Sequence, residues 1–147
     1  METAIVKCIE KQKLMTLATS EEGMPYCASL FYAFLPANDL LVFKSDPQTI
    51  HIQQALKNGS VAGTIHANPV TILKLQGIQF TGFFTPLSET DLFDAASQVY
   101  MKKFPFAGVI HQADFWAIKL HHIKMTDNRL GFGKKLIWDA RKVTEIG

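Results

Sequence analysis

In the run FKSDPQTIH, residues 43–51, four side chains able to hold an anion stand within eight positions: Lys44, Ser45, Thr49 and His51. They sit where an apolar segment passes into a polar helical start. Ser45 can cap that helix with Gln48 as its third residue, or Asp46 can cap it with Pro47 as its first, and the sequence is compatible with both. In either case the backbone amides around Gln48, Thr49 and Ile50 have no partner within the helix and carry the positive end of its dipole. Amide donors and dipole together suit a phosphate. The plain alternative is a capped helix beside an exposed lysine and histidine.

No other set of residues carries so specific a signal. His66, His111, His121 and His122 lack metal-ligand spacing, and the adjacent pair 121/122 is expected to point to opposite sides of a strand. Thirteen acidic residues include no close pair in an apolar setting of the kind an acid/base dyad needs. Cys27 falls in an apolar strand and reads as an inert core thiol. Trp116 and Trp138 read as core or interface anchors. Two cysteines make neither a disulfide framework nor a zinc site, which fits a reducing cytoplasm.

The elements that must position these residues are mostly strands. Ile5, Cys8, Ile9 and Gln12 recur at helical spacing behind Thr3, predicting a first helix over 3–12 with Thr3 as its cap. LMTLAT and YCASLFYAF, joined by the turn EEGMP, predict a hairpin. Both alternating sets of the second strand are apolar or small, so it is expected to be covered on both sides. LLVFKS is a third strand, followed by a helix over 48–57 that Asn58 and Gly59 stop. SVAGTIH, VTILKL and GIQFTGFFTPL predict further strands, with Gly77 and Gly82 marking bulges or bends. Ser88 and Asp91 open a capping-box-like helix over 89–103 that Pro105 ends. FWAIKL and HIKMT are two more strands. At least six strands, two or three helices and no βαβ rhythm predict a mainly β chain, a closed or nearly closed barrel with peripheral α-helices.

Length and charge narrow the classes. A chain of 147 residues suits one domain, 1–147, with a sizeable core. A net charge of +2 with dispersed basic residues argues against a nucleic-acid partner. Lys134, Lys135, Arg141 and Lys142, diluted by Asp139 and Glu145, read as a solvated tail. The longest apolar run, CASLFYAFL, falls well short of the roughly 20 residues a membrane helix needs, and METAIVKCIEKQK lacks the apolar core of an export signal.

The order of these pieces resembles the pyridoxamine 5′-phosphate oxidase-like FMN-binding split barrels. It comprises the turn with Gly23 and Pro25, YCASLFYAF, LLVFKS, the short helix with Thr49 and His51, then SVAGTI and GIQFTGFFTPL. VAGTI, GIQFTG, YMKKFP and TDNRLGFGKKLIW together are similar to the bacterial YhbP-like branch. The resemblance covers nearly the whole chain and implies a six-stranded split β-barrel, a homodimer and two FMN molecules at the subunit interface. It also implies an FMN phosphate gripped by the end of the third strand and the start of the following helix, here Lys44, Ser45, Thr49, Ile50 and His51. The same resemblance puts the backbone along Ala28 and Ser29 near the flavin. It gives Gln79 a hydrogen bond to the ring and Thr126 the place of an interface aromatic, and lets Lys134 or Lys135 reach across the dimer.

The chain also departs from the oxidase pattern. Basic residues of the oxidases are replaced at Ala28, Ala33 and Ile50, leaving His51 and the added Lys44. Of the substrate-phosphate residues only Tyr100 remains, with Phe104 and Gly108 replacing an arginine and a serine. Loss of a bidentate guanidinium argues against pyridoxamine phosphate as substrate, and Phe104 and Phe106 suggest an apolar small-molecule ligand. Two functions are thus expected to compete: an FMN-dependent oxidoreductase, and a non-catalytic store or sensor holding flavin or haem. For haem, His51 and His111 are the candidate ligands.

Overall fold

Tyr32 joins the two ends of the sheet. The computed structural model describes residues 1–68, 71–88, 90–107 and 113–142, and its strands are β1 (Leu14–Glu21), β2 (Met24–Phe31), β3 (Ala33–Leu35), β4 (Leu40–Ser45), β5 (Ser60–His66), β6 (Gln76–Pro86), β7 (Asp114–Asp127) and β8 (Lys135–Asp139). They form one antiparallel sheet in the order β2-β1-β5-β6-β7-β4-β3, with β8 on β7. The two ends of that path, β2 and β3, are separated in sequence by Tyr32 alone, so the sheet must curl into a half-barrel that brings its ends together. The expected single strand YCASLFYAF is therefore two strands. Tyr32 breaks it by turning its wholly buried ring inward, where the hydroxyl donates to the Ile9 carbonyl at 2.6 Å and the amide to that of Lys13 at 3.0 Å.

Alternation explains the core. Met15 and Leu17 of β1, Val61 and Ile65 of β5, Ile78 and Phe80 of β6, and Leu41 and Phe43 of β4 point into the barrel. Helix α1 (Thr3–Lys11) adds Ile5, Cys8 and Ile9, while α2 (Ile50–Lys57) adds Ile52 and Ala55. Helix α3 (Phe93–Lys103) covers the other side of β3, β4 and β7, packing Ala96 and Tyr100 against Ala33, Val42 and Ala117. It is β4, not β2, that is buried on both faces. β2 is an edge strand with most of its residues exposed, Cys27 among them.

Other expectations need correcting for equally local reasons. FWAIKL and HIKMT are one strand, β7, whose pairing with β6 shifts at Thr81/Gly82. That bulge leaves His121 unmatched, so His121 and His122 line one cavity with Thr81 and Arg141 rather than facing apart. Of the stretch VTILKL, Ile72–Lys74 forms a 3-10 turn. Asn128 holds it there, donating from Nδ2 to the Ile72 carbonyl at 2.9 Å and from its amide to that of Leu75. The basic C-terminal stretch is no loose tail, since Lys135 belongs to β8. Glu2, Thr49 and Leu92 precede α1, α2 and α3 in place of the expected caps, none with a side-chain cap bond. The described residues form eight strands, consistent with the at least six expected and two more than the six the resemblance implied. No described helix is long and apolar enough to cross a membrane.

Candidate functional site

At the end of β4 the chain passes through a tight turn before α2 begins. Asp46 builds that turn: its Oδ1 accepts from the Gln48 amide at 2.7 Å and its carbonyl from the Thr49 amide at 3.1 Å. Two of the amides expected to be unpaired are thus satisfied, because the helix starts two residues later than the sequence pattern indicates. The amides of its first turn, Ile50, His51 and Ile52, take over that role. Thr49 precedes them without capping them, as its hydroxyl donates backward to the Asp46 carbonyl at 2.8 Å.

Side chains from opposite faces of β4 reach this corner because the strand ends there. Ser45 points inward and is only 7% exposed, with Oγ 2.7 Å from His51 Nε2 and 3.4 Å from Thr49 Oγ1. Trp116 donates its indole N–H to the Ser45 carbonyl at 2.9 Å, fixing the backbone. Lys44 points outward, its ammonium 5.2 Å from the centre of the Phe115 ring, a favourable cation–π distance. Phe115 is brought there by β4–β7 register, which sets it opposite Lys44. No local pattern in the sequence announces that contact.

A cavity of about 350 Å³ opens at the corner, lined by Ser29, Lys44, Ser45, Asp46, Thr49 and Tyr100 among others. Burial holds His51 below its ordinary pKa of 6.5, so at neutral pH the ring is uncharged and, among the described lining residues, Lys44 is the cation. Burial likewise raises the Tyr100 phenol, keeping it a neutral donor. Phe104 is engaged with Tyr100 and Phe31, at ring separations of 5.0 and 5.5 Å, while Phe106 is exposed.

The remaining predicted residues lie elsewhere. Ala28 faces Leu17 on the side of β2 opposite Ser29 and is not part of the cavity lining. Gln79 and Thr126 share a second cavity of about 430 Å³ with His66 and Lys135, where Lys135 donates to Thr126 Oγ1 at 3.1 Å. Lys134 is exposed in the preceding turn, away from the corner. Gly108 and His111 lie outside the described residues. Among those described, no three His, Cys, Asp or Glu side chains are grouped to hold a metal ion.

A phosphate fits the donors present. Among the described residues, Lys44, the buried Ser45 hydroxyl and Thr49, which immediately precedes the uncapped first turn of α2, line the cavity, with one carboxylate, Asp46, already bonded to Gln48. Haem fits less well, since axial ligation by His51 would take Nε2 from Ser45.

Comparison with known proteins agrees with this fold. The family model described as pyridoxamine 5′-phosphate oxidase matches residues 1–127. The UPF0306 protein YhbP of Salmonella schwarzengrund (strain CVM19633) is 41% identical over 136 residues, covering 92% of this chain and 91% of its own. Among solved structures, a heme binding protein from Mycobacterium smegmatis superposes with a TM-score of 0.77 at 15% identity, covering 96% of this chain and 60% of that one. A FAD-binding protein from Mesorhizobium loti gives 0.69 at 14% identity, covering 84% and 92%. A buried core of this pattern, a curled antiparallel sheet and a match over most of the length leave one conclusion: the chain belongs to the pyridoxamine 5′-phosphate oxidase family, in the company of the YhbP proteins.

Proposed function

We propose that this protein binds FMN by its phosphate at the β4–α2 corner and acts as a flavin-dependent oxidoreductase. The observation that carries this is that Lys44, Ser45 and Thr49, the residue before the uncapped start of α2, line one cavity with Ser29 and Tyr100. When bound, the flavin supplies the hydride or electron chemistry. The chain's own residues bind and orient: Lys44 neutralises phosphate charge, Ser45 and the helix amides donate to it, and the Asp46 turn holds the corner in shape. Pyridoxamine phosphate is a poor substrate for this site, because Phe104 offers no guanidinium to a second phosphate. A small apolar molecule suits the Phe31 and Tyr100 side of the cavity better.

The active form is a homodimer. Leu14, Phe31 and Ile137 are each at least half exposed on the outside of the sheet, an apolar surface that a second copy would cover. Gln79, Thr126 and Lys134, remote from the corner within one chain, become available to a partner's flavin in such an assembly.

A second reading, a non-catalytic holder of a planar ligand, is favoured by the heme binding protein among the structural neighbours. The absorption spectrum of purified protein separates the two, followed by FMN titration and mixing with a reduced nicotinamide. Flavin bands that bleach on reduction support the oxidoreductase. A Soret band, or flavin that stays oxidised with every donor, supports the holder. Protein that takes up no FMN contradicts both flavin roles.

A further inference from the structure

The hydroxyl of Ser45 has one proton to give, and His51 decides where it goes. Thr49 cannot receive a choice of roles: its own proton is committed to the Asp46 carbonyl, so its Oγ1 can only accept. His51 Nε2 lies 2.7 Å from Ser45 Oγ and 3.3 Å from Thr49 Oγ1. If Nε2 is bare, it takes the serine proton, and Ser45 and Thr49 both turn lone pairs toward the cavity. That corner would suit a donor such as an ammonium group and would repel a phosphate. If Nε2 carries a proton, it donates to the hydroxyl oxygens, and the serine proton, freed from the ring, can leave the long 3.4 Å approach to Thr49 Oγ1 for an acceptor in the cavity. Only the second arrangement agrees with Lys44 and the uncapped helix amides, which also favour negative charge.

We propose that His51 is a positioning residue for an anionic ligand: its Nε2–H, held against Ser45 Oγ, turns the Ser45 hydroxyl proton into the cavity toward a phosphoryl oxygen. This rests on the phosphate assignment above and adds to it a tautomer and a donor. The ring acts while neutral, so burial does not oppose the role. Trp116 fixes the serine backbone, leaving the hydroxyl rotor as the part that His51 sets.

Nitrogen-15 spectra of histidine-labelled wild-type protein, free and saturated with inorganic phosphate or FMN, test the tautomer directly. The expected spectrum shows His51 with a proton-bearing Nε2 and a bare Nδ1 in all three states. A bare Nε2 in the loaded protein overturns the proposal. A double-mutant cycle tests the route. Ser45→Ala lowers FMN affinity about tenfold without changing riboflavin affinity. His51→Leu lowers FMN affinity only while Ser45 is present, and His51→Gln, which keeps an N–H donor, stays within about threefold of wild type. Additive losses from Ser45→Ala and His51→Leu overturn the role. Wild-type protein that binds neither FMN nor phosphate contradicts the phosphate assignment and this role with it. Wild-type protein that binds both with a bare Nε2 contradicts the role of His51 alone.

Discussion

At the β4–α2 corner the chain ties down its polar groups with its own atoms, whereas on the outer face of the sheet it presents them to whatever lies outside. Ser45, Thr49 and His51 bond one another, Asp46 shapes the turn and Trp116 grips the backbone. Across the outer face, cross-strand register aligns Ser29, Thr16, Thr64, Gln79 and Lys124 in one row over five strands. The corner is preorganised, so a ligand there meets groups already in place and loses little to ordering them. Under the proposed dimer, the outer row contributes only once a second surface covers it.

The comparison can be broken most severely in the sheet between the two regions. A Cβ on Gly63 would sit 2.5 Å from the Thr16 carbonyl oxygen and against the Phe80 ring. Gly63→Ala is expected to cost about 3 kcal/mol, the upper end of the overpacking range, in chemical denaturation. Gly77→Ala, where the same atom meets nothing closer than 3.8 Å, should stay within about 0.5 kcal/mol. Equal losses would show that close strand approach at Gly63 does not hold the sheet.

At the corner, Ser45→Ala leaves His51 Nε2 only the longer 3.3 Å contact to Thr49 Oγ1 in a buried setting, with an expected loss of about 1 to 2 kcal/mol. A stability matching wild type would mean that the network is not preorganised. His51 also sets a pH dependence. Burial lowers its folded pKa below 6.5, so between those two values the unfolded chain binds more protons than the folded one. The associated stability is complete above pH 6.5 and is lost as pH falls through the folded value. Urea midpoints measured from pH 7.5 down to 5 should fall more steeply in wild type than in His51→Gln; parallel curves would refute burial as the cause. Smallest of all, Gln79→Ala on the outer row should change monomer stability by less than about 0.5 kcal/mol, while lowering FMN affinity severalfold if a partner's flavin uses it.

Local signals account for what could be read before folding. β4 and β5 match LLVFKS and SVAGTIH residue for residue because turn residues bracket each of them. The corner was legible for the same reason, with Lys44, Ser45, Thr49 and His51 all inside one short run. What escaped depended on distant partners. The hydroxyl of Tyr32 finds its acceptor 23 residues away, so the split of YCASLFYAF has no local mark. Asn128 reaches 56 residues back to hold Ile72 in a turn, overriding the strand preference of VTILKL. The apolar composition of β2 indicates that something covers it, but composition does not distinguish a cover from the same chain from one supplied by a second copy.

The central claim is that the corner holds a phosphate, and comparing the affinities of FMN and riboflavin for the purified wild-type protein tests it most directly. Two or more charge-assisted hydrogen bonds at roughly 1.5 to 3 kcal/mol each should make FMN bind at least about a hundredfold more tightly. Equal affinities would place the phosphate outside the corner and contradict the claim.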